Sequence, residues 1–303
     1  MHAPWIELIP PQDKIDLTGP GFSDYQWQAL FACQIGVPKH NDWAKLRWGF
    51  NAAALFDEAM KRQNLFLESR HGINNELRIE NPSRQTITFR YINLPGEGLL
   101  LVILGKVYAR SKEDAEKDAL AYCRELKATF PYDYTLLPAD SKDEFRRLSG
   151  WEILAQNEDR LNIAQIKRCE IPILLNQKSP FLQGFWQSKN AHIHEQIWRL
   201  MAALPYHAIV NTMLCPTVIY YNELQFLWKS AKEIADLQAP SLDHRALKFY
   251  QEWNENFVNR RQDPWQKFFY LQIHLASTQE IDEKSREIQG SCFRHERAQG
   301  HGR

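Results

Sequence analysis

The most regular hydrophobic and polar pattern of the chain lies at residues 99–130, where an apolar run leads into an amphipathic segment. The run at 99–104 is short and aliphatic and follows a PGEG turn sequence, which is typical of a buried strand. Ser111 is suited to cap a following helix, and Glu113 and Asp114 would complement the helix dipole. Helical spacing defines one buried face: Ala115, Ala119, Tyr122, Cys123 and Leu126. The pattern therefore predicts a strand, a turn and a helix, with no polar side chain placed for chemistry.

Similar patterns recur on both sides of this unit. Alternation predicts strands at 77–81, 86–91, 132–137, 171–175, 217–220 and 269–275. Helical spacing predicts a short helix after the capping box Ser141–Glu144, and further helices at 190–204, 222–234 and 243–257. Trp27, Leu30 and Phe31 are spaced like the start of a short helix. Together these elements predict an α+β fold: two α/β-sandwich subdomains of mostly antiparallel strands, with helices packed on the sheets.

Changes of pattern divide the chain into four parts. Residues 1–64 hold a Pro-rich arm and an aromatic cluster around Trp43 and Trp48, which is typical of a small satellite core, with a docking surface as the alternative. Residues 65–150 form a first α+β subdomain and 151–280 a second. Residues 281–303 lose all periodicity. That end is either a disordered tail or the out-of-register end of an interrupted reading frame.

Composition narrows the classes of function. The 303 residues contain 37 Lys and Arg and 37 Asp and Glu, so no global basic field favours nucleic acid. Ten Trp and sixteen Phe indicate thick cores or a large partner surface. The five cysteines are far apart and form no CxxC pair, which suggests neither a zinc site nor a disulfide framework. No 18-residue apolar stretch or signal-peptide core occurs, so we expect a reduced, cytoplasmic protein without membrane insertion.

A search for catalytic motifs finds no constellation. The glycines at 96, 98 and 105 have the wrong spacing for a phosphate-binding loop, and Val107 stands where a hydroxyl is needed. His192 and His194 could place two ligands on one side of a strand, but on the helix predicted here they would point about 200° apart, which favours a structural or surface role. His207, His244 and His274 also favour structural or surface roles. We predict no catalytic residue, no cofactor-binding residue, no metal ligand and no small-molecule substrate.

Two basic spots remain: Arg146 and Arg147, and Arg260 and Arg261 with Lys267. Cations at the C-terminal ends of helices are favoured by the dipole, so these residues are most simply solvated helix ends. The alternative is contact with the phosphates of a nucleic acid. They are the only nucleic-acid candidates that the sequence offers, and they make DNA a possible partner.

The segment 99–138, with its apolar strand, GKVYARSKEDAEKDA and TFPYDYTLLP, resembles the N-terminal region of HerA–FtsK-type ATPases and of conjugative type IV secretion ATPases. Three later segments are similar to strands of that group: IKRCEIP, LCPTVIYYNE and FFYLQIHLA. The resemblance covers about residues 65–280 and rests on apolar patterns rather than on catalytic motifs. The Walker motifs of the family's motor domain are absent from this sequence, so none of its catalytic residues can be assigned here.

The resemblance implies a non-catalytic assembly or docking module of a hexameric DNA-translocating ATPase, seen without its motor. Such a module would form a ring or hold a partner protein. It would be a fragment, a truncated gene product or a stand-alone descendant. Two alternatives remain open: an independent enzyme whose site is not recognisable from sequence, and a DNA-binding accessory protein.

Overall fold

The computed structural model describes residues 3–11, 27–36, 52–72, 83–131, 134–156, 161–166, 170–172, 181–183, 201–217, 229 and 267–279. Its strands are β1 (Glu7–Ile9), β2 (Trp27–Gly36), β3 (Gln85–Leu94), β4 (Gly98–Ala109), β5 (Thr135–Pro138), β6 (Asn162–Ile166), β7 (Glu170–Pro172), β8 (Phe181–Gln183), β9 (Ala208–Thr217) and β10 (Phe268–Ser277). Its helices are α1 (Ala52–Gly72), α2 (Lys112–Thr129), α3 (Lys142–Ser149) and α4 (Trp151–Gln156).

Eight of these strands form one sheet: seven lie in the order β1-β2-β4-β3-β9-β10-β6, and the eighth, β5, pairs with β2 outside this order. The short strands β1 and β5 both pair with the edge of β2 that faces away from β4, at different places along it. Every pairing in the sheet is antiparallel. β7 and β8 form a separate antiparallel pair. The predicted α+β fold with mostly antiparallel strands is therefore confirmed.

The sheet continues across residue 150, where we predict a boundary between subdomains. β3 pairs with β9 over seven residues, from Ile87 opposite Leu214 to Asn93 opposite Ala208. The predicted N-terminal arm also contributes β1 and β2 to the same sheet. The division of the chain into 1–64, 65–150, 151–280 and 281–303 stays a prediction, and residues 281–303 lie outside the described part.

The central unit forms as predicted, with a longer strand. α2 begins after Ser111, whose side-chain oxygen accepts a hydrogen bond from the Asp114 amide, and the five residues predicted to face inward are all buried. β4, however, runs from Gly98 to Ala109 instead of ending at Leu104. Burial still alternates along its last residues, since Val107 and Ala109 are buried while Lys106 and Tyr108 are more exposed.

The helix predicted to start at Trp27 is wrong, because these residues form β2. Every second residue of β2, at Ala29, Phe31 and Cys33, lies on the side of α2 and is fully buried. The strand is also paired on both edges, with β4 and with β5. Pairing with β4 and burial of one face decide the conformation here, since local spacing alone favours neither state.

Several other elements differ in extent or cannot be compared. β5 covers Thr135–Pro138 and α3 is capped by Ser141 and ends at Gly150 in the left-handed conformation, close to the predicted positions. β9 begins at Ala208, nine residues before the strand predicted at 217. β10 lies where a strand is predicted.

Some predicted elements lie outside the described residues. They are the strand at 77–81, the aromatic cluster around Trp43 and Trp48, the helices at 222–234 and 243–257, and residues 190–200 of the helix predicted at 190–204.

Each face of the sheet has its own core. The α2 face packs α2, Phe66 of α1 and Leu136 of β5 against β2, β3 and β4. The α3 face packs Phe145 and Leu148 of α3 against Ala32, Val102 and Ile92, with α4 alongside. Alternating residues of the central strands therefore serve both cores, which explains why β4 reads as an almost continuous apolar run.

Candidate functional site

The two outer edges of the sheet expose apolar side chains. Leu137 on β5 has 56% of its surface exposed, and Ile163 on β6 has 69%. Leu137 lies opposite Gln34 and Ile163 lies opposite Ala276, so both are on the α3 face. Edge strands offer unpaired backbone groups, and an apolar side chain on such an edge is a site where another chain can add.

Each edge strand also carries an exposed polar residue two positions from its exposed apolar residue. Thr135 lies two positions before Leu137 on β5 and Gln165 lies two positions after Ile163 on β6, and both are exposed. Because side chains alternate with a period of two, each pair points to the same side of its strand. Among the described strands, β5 and β6 each have only one paired neighbour.

A row of mainly polar residues crosses the α3 face between these edges. Paired positions run in the order Gln34, Val102, Arg90, Asn211, His274 and Gln165. Arg90 donates from Nε to Asn211 Oδ1 at 2.5 Å, and its Nη1 donates to the carbonyl of Ser149. Ser149 is the last residue of α3, so the guanidinium lies at the negative end of that helix.

Burial lowers the pKa of Arg90 to about 10, yet the group is still a cation at neutral pH. Its contacts are an amide and a helix carbonyl, which together hold α3 on the sheet. The row supplies neither a thiol nor a carboxylate at its centre, so it positions a helix and does not form a nucleophile–base pair.

A second polar group on this face joins Lys106 and Tyr108 of β4. The Lys106 ammonium lies 5.4 Å from the centre of the Tyr108 ring. Burial lowers the pKa of Lys106, and burial followed by the charge of nearby Cys215 raises that of Tyr108. The attraction between a cation and the face of an aromatic ring explains why these two side chains pack together, so we assign the pair a structural role.

The structure brings together two cysteines that the sequence places far apart. Cys33 on β2 and Cys123 on α2 have their sulfur atoms 3.9 Å apart, and both residues are at most 1% exposed. The hydrogen bond to Cys123, followed by burial, raises the pKa of Cys33. The pKa of Cys123 is lowered, first by its hydrogen bond with Cys33, in which either sulfur can be the donor, and then by Lys127 and Arg124, although burial opposes the change. This dithiol was missed because its members are 90 residues apart, although each lies on a predicted or observed buried face.

The predicted basic candidates do not form one described patch. Arg146 and Arg147 are exposed in the last turn of α3, and Arg147 Nη2 lies 3.5 Å from Gln34 Oε1. Lys267 is exposed just before β10, seven residues from His274 of the polar row. Seven strand residues span about 23 Å, so Lys267 lies far from the α3 end along the strand direction. Arg260 and Arg261 lie outside the described residues, and DNA binding stays a prediction.

The rejected motifs have structural roles where they are described. Gly96 and Gly98 adopt positive φ in the turn between β3 and β4, and Gly105 lies beneath the Phe31 ring. His207 accepts two contacts through its backbone carbonyl from Thr278, and His274 is half-buried in the polar row. His192, His194 and His244 lie outside the described residues.

Searches over the described residues find no group of three His, Cys, Asp or Glu side chains able to hold a metal ion. The same part of the chain contains no helix long and apolar enough to cross a membrane. A scan against protein-family models finds no match, and a search of the curated proteins finds no significantly similar sequence.

Proposed function

We propose that this chain is a non-catalytic assembly module whose copies join head to tail through the two edges of the sheet. The observation that carries the proposal is the pair of exposed apolar side chains on opposite outer strands, Leu137 and Ile163, both on the α3 face. A contact between two different surfaces generates a ring when its rotation closes. The resemblance to the N-terminal region of HerA–FtsK-type ATPases points to the same kind of assembly.

The rest of the described architecture supports a structural role. The buried cation Arg70 and the partly buried cation Arg90 have partners that join helices to each other or to the sheet. The free thiols at Cys33, Cys123 and Cys215 are typical of a reducing compartment, so we place the module in the cytoplasm.

The test begins with the mass of the protein in solution. We expect size-exclusion chromatography with light scattering to show an oligomer at about 100 µM, a concentration that populates micromolar contacts. Leu137→Lys and Ile163→Lys each place a charge on one edge and should yield monomers. The matched controls, Glu97→Lys in the turn between β3 and β4 and Glu116→Lys on α2, place a lysine at exposed positions outside both edge strands and should keep the oligomer.

Mixing the two edge variants identifies the geometry. The Leu137→Lys variant keeps an intact β6 edge, and the Ile163→Lys variant keeps an intact β5 edge. A head-to-tail contact therefore predicts that the mixture forms a heterodimer and no larger species. A wild-type protein that is strictly monomeric at that concentration, or controls that dissociate as completely as the edge variants, would overturn the proposal.

A link to an ATP-driven motor is tested separately. Reading the coding DNA beyond the Arg303 codon in three frames should reveal a G-x-x-x-x-G-K-[ST] motif if the module belongs to such a motor. A stop codon with no such motif nearby would leave an assembly module without a motor of its own.

A further inference from the structure

We propose that Cys33 and Cys123 form an oxidisable dithiol, which closes into a disulfide that ties α2 to β2. The two sulfur atoms are 3.9 Å apart. A disulfide bond is about 2.05 Å long, so closure brings the sulfurs about 1.9 Å closer. Rotation of the two side chains supplies a movement of this size, because each sulfur lies one bond beyond its Cβ.

The surroundings give the two cysteines different roles. Cys123 lies on α2, where the hydrogen bond with Cys33, and after it Lys127 one turn later and Arg124 beside it, lower the pKa of its thiol although burial opposes them. Cys33 lies beneath it on β2, where the hydrogen bond to Cys123 and burial favour the thiol. Cys123 is therefore the attacking sulfur and Cys33 the resolving one.

The oxidant is a hydroperoxide, the smallest being hydrogen peroxide. The Cys123 thiolate attacks one peroxide oxygen, the O–O bond breaks, and protonated hydroxide leaves as water, giving a sulfenic acid. The Cys33 sulfur then attacks the Cys123 sulfur and loses its proton. The S–O bond breaks, and a second water leaves. Two thiols are oxidised and one peroxide is reduced.

The bond would close a loop of 90 residues between the first long strand and the helix that covers it. Constraining such a loop in the unfolded chain should raise the thermal midpoint by about 5–10 °C. Because α2 packs on the same sheet as the outer strands, the disulfide would stiffen that sheet. The dithiol does not depend on the proposed assembly.

The first experiment uses the full-length wild-type protein with hydrogen peroxide. After oxidation under native conditions and alkylation of free thiols, peptide mass spectrometry should find the peptides containing Cys33 and Cys123 joined, with a loss of two hydrogens. A reductant should reverse the link. Recovery of both residues as alkylated thiols, while more exposed Cys215 is oxidised, would overturn the proposal.

The second experiment assigns the roles in a Cys169→Ser, Cys215→Ser, Cys292→Ser background. The parent should lose both thiols and show the higher thermal midpoint after oxidation. Adding Cys33→Ser should leave a sulfenic acid on Cys123 that a cyclic 1,3-diketone traps, whereas adding Cys123→Ser should abolish most of the reaction. Equal trapping in the two variants would contradict the assigned order, and the wild-type peptide map remains decisive if a variant does not fold.

Discussion

At the scale of single residues, a glycine on β4 makes room for an aromatic ring on the neighbouring strand β2. Gly105 faces Phe31, and a Cβ added at Gly105 would lie 2.1 Å from the Phe31 Cζ atom. The Phe31 ring is fully buried and meets Tyr122 of α2 edge-on at a centroid distance of 5.6 Å. The absence of a side chain at 105 is therefore what lets the ring join the sheet to the helix.

The variant Gly105→Ala should lower the free energy of unfolding by about 1–3 kcal/mol, because the ring must move out of a filled core. Urea denaturation measures this value. Combining it with Phe31→Leu should cost less than the sum of the two single variants, since the smaller side chain makes room. An additive pair would show that the contact does not set the packing.

Stability at high pH should depend on Cys215. Burial raises the pKa of its thiol to about 11 from an ordinary value of 9.0. The unfolded thiol ionises first, so this contribution is complete below pH 9 and is lost as the pH rises toward 11. Cys215→Ser should reduce the alkaline loss of unfolding free energy by about 1–2 kcal/mol in urea titrations. A loss as large as that of wild type would contradict the assignment.

At the scale of elements, α1 and α2 are joined by a buried cation. Arg70 of α1 is 4% exposed, pairs with Glu125 and donates to Thr129 Oγ1 at 2.7 Å. Its guanidinium also lies 5.1 Å from the centre of the Phe66 ring. Phe66 in turn meets Phe130, the C-cap of α2, edge-on, so two polar contacts and one aromatic contact join the two helices.

Replacing Glu125 with Gln should destabilise the protein by about 1–3 kcal/mol, because Arg70 keeps a buried charge without its carboxylate. The matched control is Glu116→Gln on the same helix, which is exposed and should change stability by less than about 0.5 kcal/mol. Thermal or urea unfolding of both variants checks the difference. Equal losses of stability in the two variants would mean that the Arg70–Glu125 ion pair contributes no more than an exposed charge on the same helix.

At the scale of the whole molecule, contacts across residue 150 join the two predicted subdomains. Besides the β3–β9 ladder, the fully buried Asn93 donates from Nδ2 to the carbonyls of Leu204 at 2.9 Å and Tyr206 at 2.8 Å. Both carbonyls belong to the segment that leads into β9. We expect the sheet to unfold as one cooperative unit.

The variant Asn93→Ala should cost about 1–3 kcal/mol, since two partly buried carbonyls lose their donor. It should shift a single unfolding transition without splitting it, as followed by circular dichroism and tryptophan fluorescence together. Glu97→Ala in the exposed turn between β3 and β4 serves as the control. Two separated transitions would instead support independent subdomains on either side of residue 150.

What the sequence determined by itself is local. The buried face of α2, the Ser111 and Ser141 caps and the positions of strands β3 and β10 follow from spacing and side-chain chemistry within a few residues. The α+β class follows from the order of such elements.

Tertiary structure decided everything that depends on pairing between distant segments. It made residues 27–36 a strand, joined β3 to β9, put Leu137 and Ile163 on opposite edges and brought Cys33 to Cys123. The physical reason is that a strand acquires its neighbours and its buried side only when the sheet assembles. No periodicity within one segment records which distant segment will lie beside it.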